Sequence, residues 1–381
     1  MDFISYICYD KKQSAFSDAL QNGKQPENIG GMKMLVEKLI KQHELSKEEY
    51  ISLLQGCNDD MRKRLQTEAV RLRKKYYGDK VYVRGLIEFT NYCKNNCYYC
   101  GIQATNKNVT RYRLEKEQIL ECCKTGYQLG LRTFVLQGGE DAYYTDDKIV
   151  DIISTIKKQY PDCAITLSIG EKSYESYEKY KKAGADRYLL RHETANEEHY
   201  GKLHPGAMSL ENRKQCLYRL KELGYQVGAG FMVGSPYQTE KTIAEDLIFL
   251  KELQPQMVGI GPFVSHHDTK FAAYPNGRVE DTLLLLSIIR IILPTVLLPA
   301  TTALGTIDPQ GREKGLQAGA NVVMPNLSPV SVRTQYELYD AKICTGEEAA
   351  ECMGCLRKRI EHAGYSMVFD RGDAYDWNKQ K

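Results

Sequence analysis

The twelve cysteines of this 381-residue chain are not evenly spread. Three fall in Asn91-Tyr92-Cys93-Lys94-Asn95-Asn96-Cys97-Tyr98-Tyr99-Cys100-Gly101, with the spacing C-x3-C-x2-C. Three thiolates on one short loop can hold three irons of a [4Fe-4S] cube, which is complete only with four cysteines. The fourth iron is then left open to a ligand, as an open metal position is in catalytic zinc sites. A structural zinc site is the alternative, but it needs a fourth ligand. No neighbouring histidine or cysteine supplies one, since Cys122 and Cys123 belong to a helical pattern. A second group, Cys344, Cys352 and Cys355, has the spacing C-x7-C-x2-C. It reads as a further metal site, with three reduced cysteines or a zinc site as alternatives. The scattered Cys8, Cys57, Cys122, Cys123, Cys163 and Cys216 read as small apolar side chains.

Other polar clusters follow apolar runs. Leu136-Gln137-Gly138-Gly139-Glu140-Asp141 is either an ordinary turn or a place where backbone must approach a ligand. Glu140 can accept a charge-assisted hydrogen bond there. Thr166-Leu167-Ser168-Ile169-Gly170-Glu171 ends a second run, and Leu190-Arg191-His192-Glu193-Thr194-Ala195-Asn196 ends a third. The last is either a buried ion pair of Arg191 with Glu193 or Glu171, or an active-site rim. His192 reads as a structural histidine. Arg213 opens a helix, where it either pairs a carboxylate in bidentate geometry or lies at the surface. Thr301 and Thr302 offer adjacent hydroxyls that suit an anion or a carboxylate, or are simply strand residues.

These clusters sit at the ends of short strand candidates: Val81–Phe89, Thr133–Gln137, Ala164–Ile169, Arg187–Leu190, Gln226–Val233, Met257–Ile260, Val296–Ala300 and Asn321–Met324. Helical patterns separate them, near Lys116–Leu129, Asp146–Gln159, Tyr174–Ala183, Leu210–Leu223, Thr239–Leu253, Val279–Leu293 and Arg312–Ala318. Eight strands alternating with helices predict an α/β fold, a parallel (β/α)8 TIM barrel. An open doubly wound sheet is the alternative. In a barrel, chemistry sits at the C-terminal ends of strands, where these clusters fall. Residues 1–31 read as an appendage, and 32–80 as a helical N-terminal extension. Ser46-Lys47-Glu48-Glu49 fits a capping box there, and the charges of Arg62 to Lys75 are expected on a solvated face. The barrel is expected over 81–326, followed by a C-terminal segment, 327–381, with the second cysteine group.

Apolar residues make up 42% and charged residues 27%, a composition that supports a large core and excludes wholesale disorder. Lys plus Arg is 52 against 49 for Asp plus Glu, so a net charge of +3 predicts no nucleic-acid or membrane partner. Met1-Asp2-Phe3-Ile4-Ser5 does not look like a secretory signal. The apolar stretch Leu283 to Ala300 is interrupted by Arg290 and Pro294, and reads as a core helix followed by a core strand. A cytoplasmic location is expected, where thiols stay reduced.

The cysteine loop, with an aromatic residue just before its last cysteine, resembles that of the radical S-adenosylmethionine (SAM) enzymes. The resemblance implies that SAM chelates the open iron, and that one electron splits it into methionine and a 5′-deoxyadenosyl radical. The cofactor carries that chemistry while the protein positions and shields it. Four segments, 187–196, 258–263, 299–307 and 319–326, closely resemble the HydE family of [FeFe]-hydrogenase maturases. The likeness runs from about Met32 to about Ile360. It implies that Cys93, Cys97 and Cys100 hold the [4Fe-4S] cluster. Gln137, Gly139, Glu140, Ser168, Glu193 and Arg213 would bind SAM. Thr166, Arg191, Met257, Thr301, Thr302, Met324, Tyr336 and Tyr339 would line a substrate cavity. Cys344, Cys352 and Cys355 would hold an accessory iron–sulfur cluster, [2Fe-2S] or [4Fe-4S], not needed for turnover. Gly138 replaces a serine of some members, which removes any side-chain contact at that position. The implied substrate is a small iron–cyanide–carbonyl cysteine complex, attacked at its cysteine sulfur. The implied partners are maturases of the HydG and HydF types and an electron donor such as ferredoxin or flavodoxin. A methylornithine-synthase-like or biotin-synthase-like reaction is the nearest alternative. A non-catalytic iron–sulfur protein for electron transfer or scaffolding is the other.

Overall fold

The computed structural model describes residues 27–346, 349–375 and 377. Residues 1–26 of the expected appendage, and Cys8 with them, lie outside the described residues. Three helices come first: α1 (Glu27–Gln42), α2 (Lys47–Gly56) and α3 (Asp59–Tyr77). The expected capping box is present, with Ser46 and Glu49 satisfying each other's backbone amides at the start of α2. Asn58 caps α3 in turn. Met61, Leu65, Ala69 and Leu72 recur at helical spacing on α3 and are buried.

The chain then alternates: β1 (Lys80–Val83), β2 (Gly85–Thr90), α4 (Lys116–Gln128), β3 (Thr133–Gly138), α5 (Asp146–Gln159), β4 (Ala164–Ser168), α6 (Tyr174–Ala183) and β5 (Arg187–Leu189). It continues with α7 (Glu197–Leu203), α8 (Leu210–Glu222), β6 (Gln226–Ala229), β7 (Met232–Val233), α9 (Glu240–Leu253), β8 (Met257–Val258), β9 (Gly261–Pro262) and α10 (Val279–Ile292). Last come α11 (Thr302–Ile307), α12 (Gly311–Gln317), β10 (Val322–Val323), α13 (Val330–Arg333), α14 (Ala349–His362) and β11 (Ser366–Val368). Gly184, Gly224 and Gly319, with φ of 114°, 74° and 108°, turn helices toward the next strand.

Six strands form one parallel sheet in the order β2-β3-β4-β5-β6-β8. Parallel bridges then close the ring: Met257 to Leu297, Pro299 to Val322, and Leu86 to Asn326. Backbone hydrogen bonds repeat that closure, from Val258 N to Leu297 O at 3.0 Å, Ala300 N to Val322 O at 2.9 Å and Leu86 N to Pro325 O at 2.9 Å. The segments expected as strands at 296–300 and 321–324 thus take the last two places of the barrel, mostly through single bridges. Glu88, Gln137 and Ser168 stand side by side across β2, β3 and β4.

Two expected strands are divided. The run Val81–Phe89 breaks at buried Arg84, because β1 pairs not only with β10 but also with β11 from the C-terminal tail. The run Gln226–Val233 breaks at Gly230, whose φ is 149° and where a Cβ would lie 2.0 Å from the Gly259 carbonyl oxygen. The basic residues Lys63, Arg64, Arg71, Lys74 and Lys75 of α3 are exposed as expected, and Arg73 is the exception. Arg73 is 0% exposed and donates to the carbonyls of Gly78, Lys80 and Ala320. Arg290 of α10 is likewise buried, on the carbonyls of Pro294, Val296 and Gly319. Unpaired carbonyls at chain turns make a buried guanidinium tolerable, since its donors are then satisfied. Among the described residues no helix is long and apolar enough to cross a membrane.

Candidate functional site

The cysteine loop leaves the C-terminal end of β2 and is fastened on every side. Arg111 donates to the carbonyls of Asn91, Ile102, Gln103 and Asn106. Tyr98 N donates to Leu203 O and Gly101 N to Leu338 O, each at 3.0 Å. The amides of Asn95 and Glu140 point at Cys93 Sγ, at 3.5 and 3.4 Å. Burial raises all three thiol pKa values, that of Cys97 to about 12, and each thiol of Cys97 and Cys100 is raised further by neighbouring loop cysteines. Such repulsion acts only between sulfurs that lie near one another. Arg111 beside Cys93 and Arg213 beside Cys97 pull the other way. Clustered sulfurs whose protons are hard to remove, with cations and amides aimed at them, fit a metal centre that displaces those protons on binding.

The Gly-Gly-Glu turn ends β3 against this loop. A Cβ on Gly139 would lie 2.2 Å from Tyr92 O and 2.7 Å from Cys93 Cβ. Lys94 N donates to Glu140 O at 3.0 Å. The Glu140 side chain accepts from Glu171 N at 3.0 Å and pairs with Lys94 at 3.2 Å. Glu140 therefore ties the loop to the end of β4.

A cavity of about 330 Å³ opens beside the loop. Tyr99 and Cys100 form part of its wall, so the cysteine loop and the cavity share a surface. Of the expected SAM residues, Gln137, Ser168, Glu193 and Arg213 line it; Gly139 and Glu140 stand behind it, under the loop. Arg191 lies 3.1 Å from Glu193, while Glu171 is taken by Arg213, 2.6 Å away through Nε; that single contact is not the bidentate geometry expected of Arg213. Neither contact has hydrogen-bond geometry, which leaves Arg191 Nη2, Glu193 Oε2, Arg213 Nε and Glu171 Oε1 with bonding capacity. Glu193 adopts φ 65°, a strained region for a residue with a side chain. His192 is wholly buried, between Gly230 N and Asp246, and is structural.

The opposite wall carries Thr301, Thr302, Tyr336 and Tyr339. Thr301 caps the N-terminal side of α11, and its buried Oγ1 has no partner. Thr166 is buried on β4 two residues before Ser168, also with an unpartnered Oγ1, but it is not part of the wall. Met257 and Met324 do not join the wall either. Met257 Sδ accepts a hydrogen bond from Arg84 at 2.9 Å, and Met324 packs on the same apolar cluster as Met257, with Tyr77 and Tyr82.

Several site residues carry no signal in sequence. Glu88 and Lys342 form a buried pair under Tyr336. Tyr99 reaches His204. Arg312 Nη2 lies 3.1 Å from Cys344 Sγ, in the second cysteine group. Cys344 has φ 65° and Cys355 is exposed. The Cys352 side chain lies outside the described residues. The scattered Cys57, Cys122, Cys123, Cys163 and Cys216 are buried as apolar residues.

A model of the radical SAM superfamily matches residues 87–250. The chain is 50% identical over 313 residues to the [FeFe] hydrogenase maturase subunit HydE of Thermotoga maritima, covering 82% of this chain and 87% of that protein. It is 31% identical over 330 residues to 3-methylornithine synthase of Methanosarcina acetivorans, covering 86% and 92%. Among solved structures, methylornithine synthase matches with a TM-score of 0.77 at 28% identity, over 88% of this chain and 97% of that one. The maturase HydG matches in fold, with a TM-score of 0.76 at 20% identity, over 97% and 81%. The chain belongs to the radical SAM superfamily, whose members work with a [4Fe-4S] cluster and SAM, and within it to the HydE maturase family.

Proposed function

We propose that this chain is a HydE-type enzyme that acts on a small iron–cyanide–carbonyl cysteine complex during assembly of the hydrogenase diiron subcluster. The observation that carries this reading is the shared wall: Cys100 and Tyr99 of the metal loop border the same cavity as Arg191, Thr301 and Tyr339. With a [4Fe-4S] cluster and SAM bound, the site would supply radical chemistry. Cys93, Cys97 and Cys100 hold the cluster, and Gly139 and Glu140 fix their loop in place. Gln137, Ser168, Glu193 and Arg213 receive SAM. Unused carboxylate and guanidinium capacity on Glu193 and Arg213 suits a zwitterionic, hydroxyl-bearing ligand. Arg191, Thr301, Thr302, Tyr336 and Tyr339 receive the substrate, with Thr166 deeper in the barrel. A guanidinium and free hydroxyl donors suit cyanide and carboxylate groups. Met257 and Met324 belong with the barrel's lower packing instead. Cys344, Cys352 and Cys355 hold an accessory cluster. A ferredoxin or flavodoxin delivers the electron, and maturases of the HydG and HydF types supply and receive the iron complex.

The test is a hydrogenase-maturation extract that lacks its own HydE. Adding the cluster-loaded protein restores hydrogenase activity. An extract that stays inactive, while the same protein cleaves SAM, contradicts the substrate and leaves a methylornithine-synthase-like or biotin-synthase-like reaction.

A further inference from the structure

Glu193 is held in the left-handed conformation, φ 65°, which a residue with a side chain disfavours. Its amide donates to Gly230 O at 3.0 Å, and the Gly230 amide donates back to His192 Nδ1 at 3.3 Å. An amide can only donate, so Nδ1 accepts and the proton of the ring sits on Nε2. Burial and the charges of Arg191, Lys214 and Arg213 push the His192 pKa well down, in keeping with a neutral ring. Nε2 lies 3.3 Å from Asp246 Oδ1. The same oxygen accepts from Ala195 N at 2.5 Å. From α9, Asp246 thus reaches the residues on both sides of Glu193 and Thr194. It is a wholly buried carboxylate whose Oδ2 has no partner. Such a group is costly to bury, and an apolar side chain serves as well or better where stability alone is at stake. Two cations secure the chain further out: Lys214 donates to Ala195 O at 3.0 Å and Arg213 to Arg191 O at 3.2 Å. Neither of those bonds holds the Ala195 amide or the His192 ring.

We propose that Asp246 is a positioning residue for SAM: by gripping His192 and Ala195 it keeps Glu193 in the strained turn that presents its carboxylate to the cavity. This rests on the reading that Glu193 receives SAM. Glu193 lines the cavity, and its Oε2 is buried without a hydrogen-bond partner. Strain of this kind persists only where the surroundings over-determine it. Released from Asp246, the turn relaxes toward negative φ, and the rotation carries the Glu193 carboxylate off its place in the wall. Asp246 itself lies outside the wall and reaches SAM only through this turn.

The test is anaerobic equilibrium dialysis of labelled SAM against the cluster-loaded full chain, without reductant, so that binding is read apart from cleavage. Asp246→Leu removes the acceptor and raises the SAM Kd about tenfold, the loss expected for one charge-assisted hydrogen bond. Asp246→Asn keeps an oxygen for both Ala195 N and His192 Nε2, and restores most of the affinity. Glu193→Ala weakens SAM binding by itself, and Asp246→Leu added to it weakens binding no further, since residues that act as one unit do not add. A wild-type Kd in Asp246→Leu overturns the proposal. So does a loss that persists in full in the Glu193→Ala background, which is what a merely structural role gives. An Asp246→Asn variant as weak as Asp246→Leu assigns the effect to lost charge instead of position, and overturns it too. If Asp246→Leu does not fold and load iron, His192→Leu decides: it takes the acceptor from Gly230 N, and unchanged SAM binding there contradicts the proposal. Glu193→Ala with wild-type affinity is a different result, and contradicts the placing of SAM on Glu193 itself.

Discussion

Lys342 donates to Glu88 Oε1 at 2.6 Å and to the Tyr336 carbonyl at 2.8 Å, while Asn326 donates to the other Glu88 oxygen at 2.8 Å. Both charged side chains are at most 10% exposed. The pair fastens the segment that carries Tyr336 and Tyr339 to the inside of β2. Breaking a buried pair leaves one charge uncompensated, at a cost of about 3–5 kcal/mol. Lys342→Met should therefore lose about 3 kcal/mol in urea denaturation. The double variant Lys342→Met with Glu88→Gln should lose clearly less than the sum of the two single changes. Simple additivity would show that the two side chains do not act as a pair. Spacing gave no sign of this contact, because 254 residues separate its members. The metal loop was legible for the opposite reason. Its three cysteines fall within eight residues, so their spacing alone points to the site. Arg111 and His204 act on that loop from outside it, and only folding brings them there.

Helices with strong periodicity could be read closely. Asp146–Gln159 and Tyr174–Ala183 form the helices the pattern predicts. Ser46→Ala should remove the side-chain cap of α2 and cost about 1 kcal/mol, measured by thermal or chemical unfolding. The short helices α7 and α11 were not legible, since six or seven residues give too little periodicity. Strands read less well than helices. A continuous apolar run says that a segment is buried, but not which neighbour it pairs with, so the break at Arg84 and the bridge-only strand at 296–300 were hidden. The Gly-Gly-Glu turn is the element on which the metal loop rests. Gly139→Ala puts a methyl group where Tyr92 O and Cys93 Cβ already stand. That variant should fold but take up less than half the wild-type iron on anaerobic reconstitution. Full iron loading would show that the loop tolerates displacement.

Across the whole molecule, the C-terminal tail closes the end of the barrel opposite the cavity. Arg187 Nη2 and Gln226 Nε2 both donate to Asp373 Oδ1, at 2.6 and 2.7 Å, and Thr133 donates to Arg371 O at 2.9 Å. Burial alone would raise the Asp373 pKa; the Arg187 charge, the Gln226 hydrogen bond and Arg371 outweigh it and hold it at about 2. A folded value below the unfolded one, about 3.9, means stabilisation that is complete above pH 4 and lost as the pH falls toward 2. Asp373→Asn should lose about 2 kcal/mol at pH 7, and its stability should decline less than the wild type between pH 4 and 2. Equal acid slopes for both would deny Asp373 this role. Eight strand–helix units made the barrel legible, whereas the tail that stoppers it has only three strand residues and no periodic signal. What the barrel shelters at its other end is best judged by one reaction. Dithionite-reduced, anaerobically reconstituted protein given SAM should release 5′-deoxyadenosine and methionine, and Cys97→Ala should release neither. No 5′-deoxyadenosine from protein with an intact [4Fe-4S] signal, or undiminished release by Cys97→Ala, would contradict a cluster held by Cys93, Cys97 and Cys100 with one iron open to SAM.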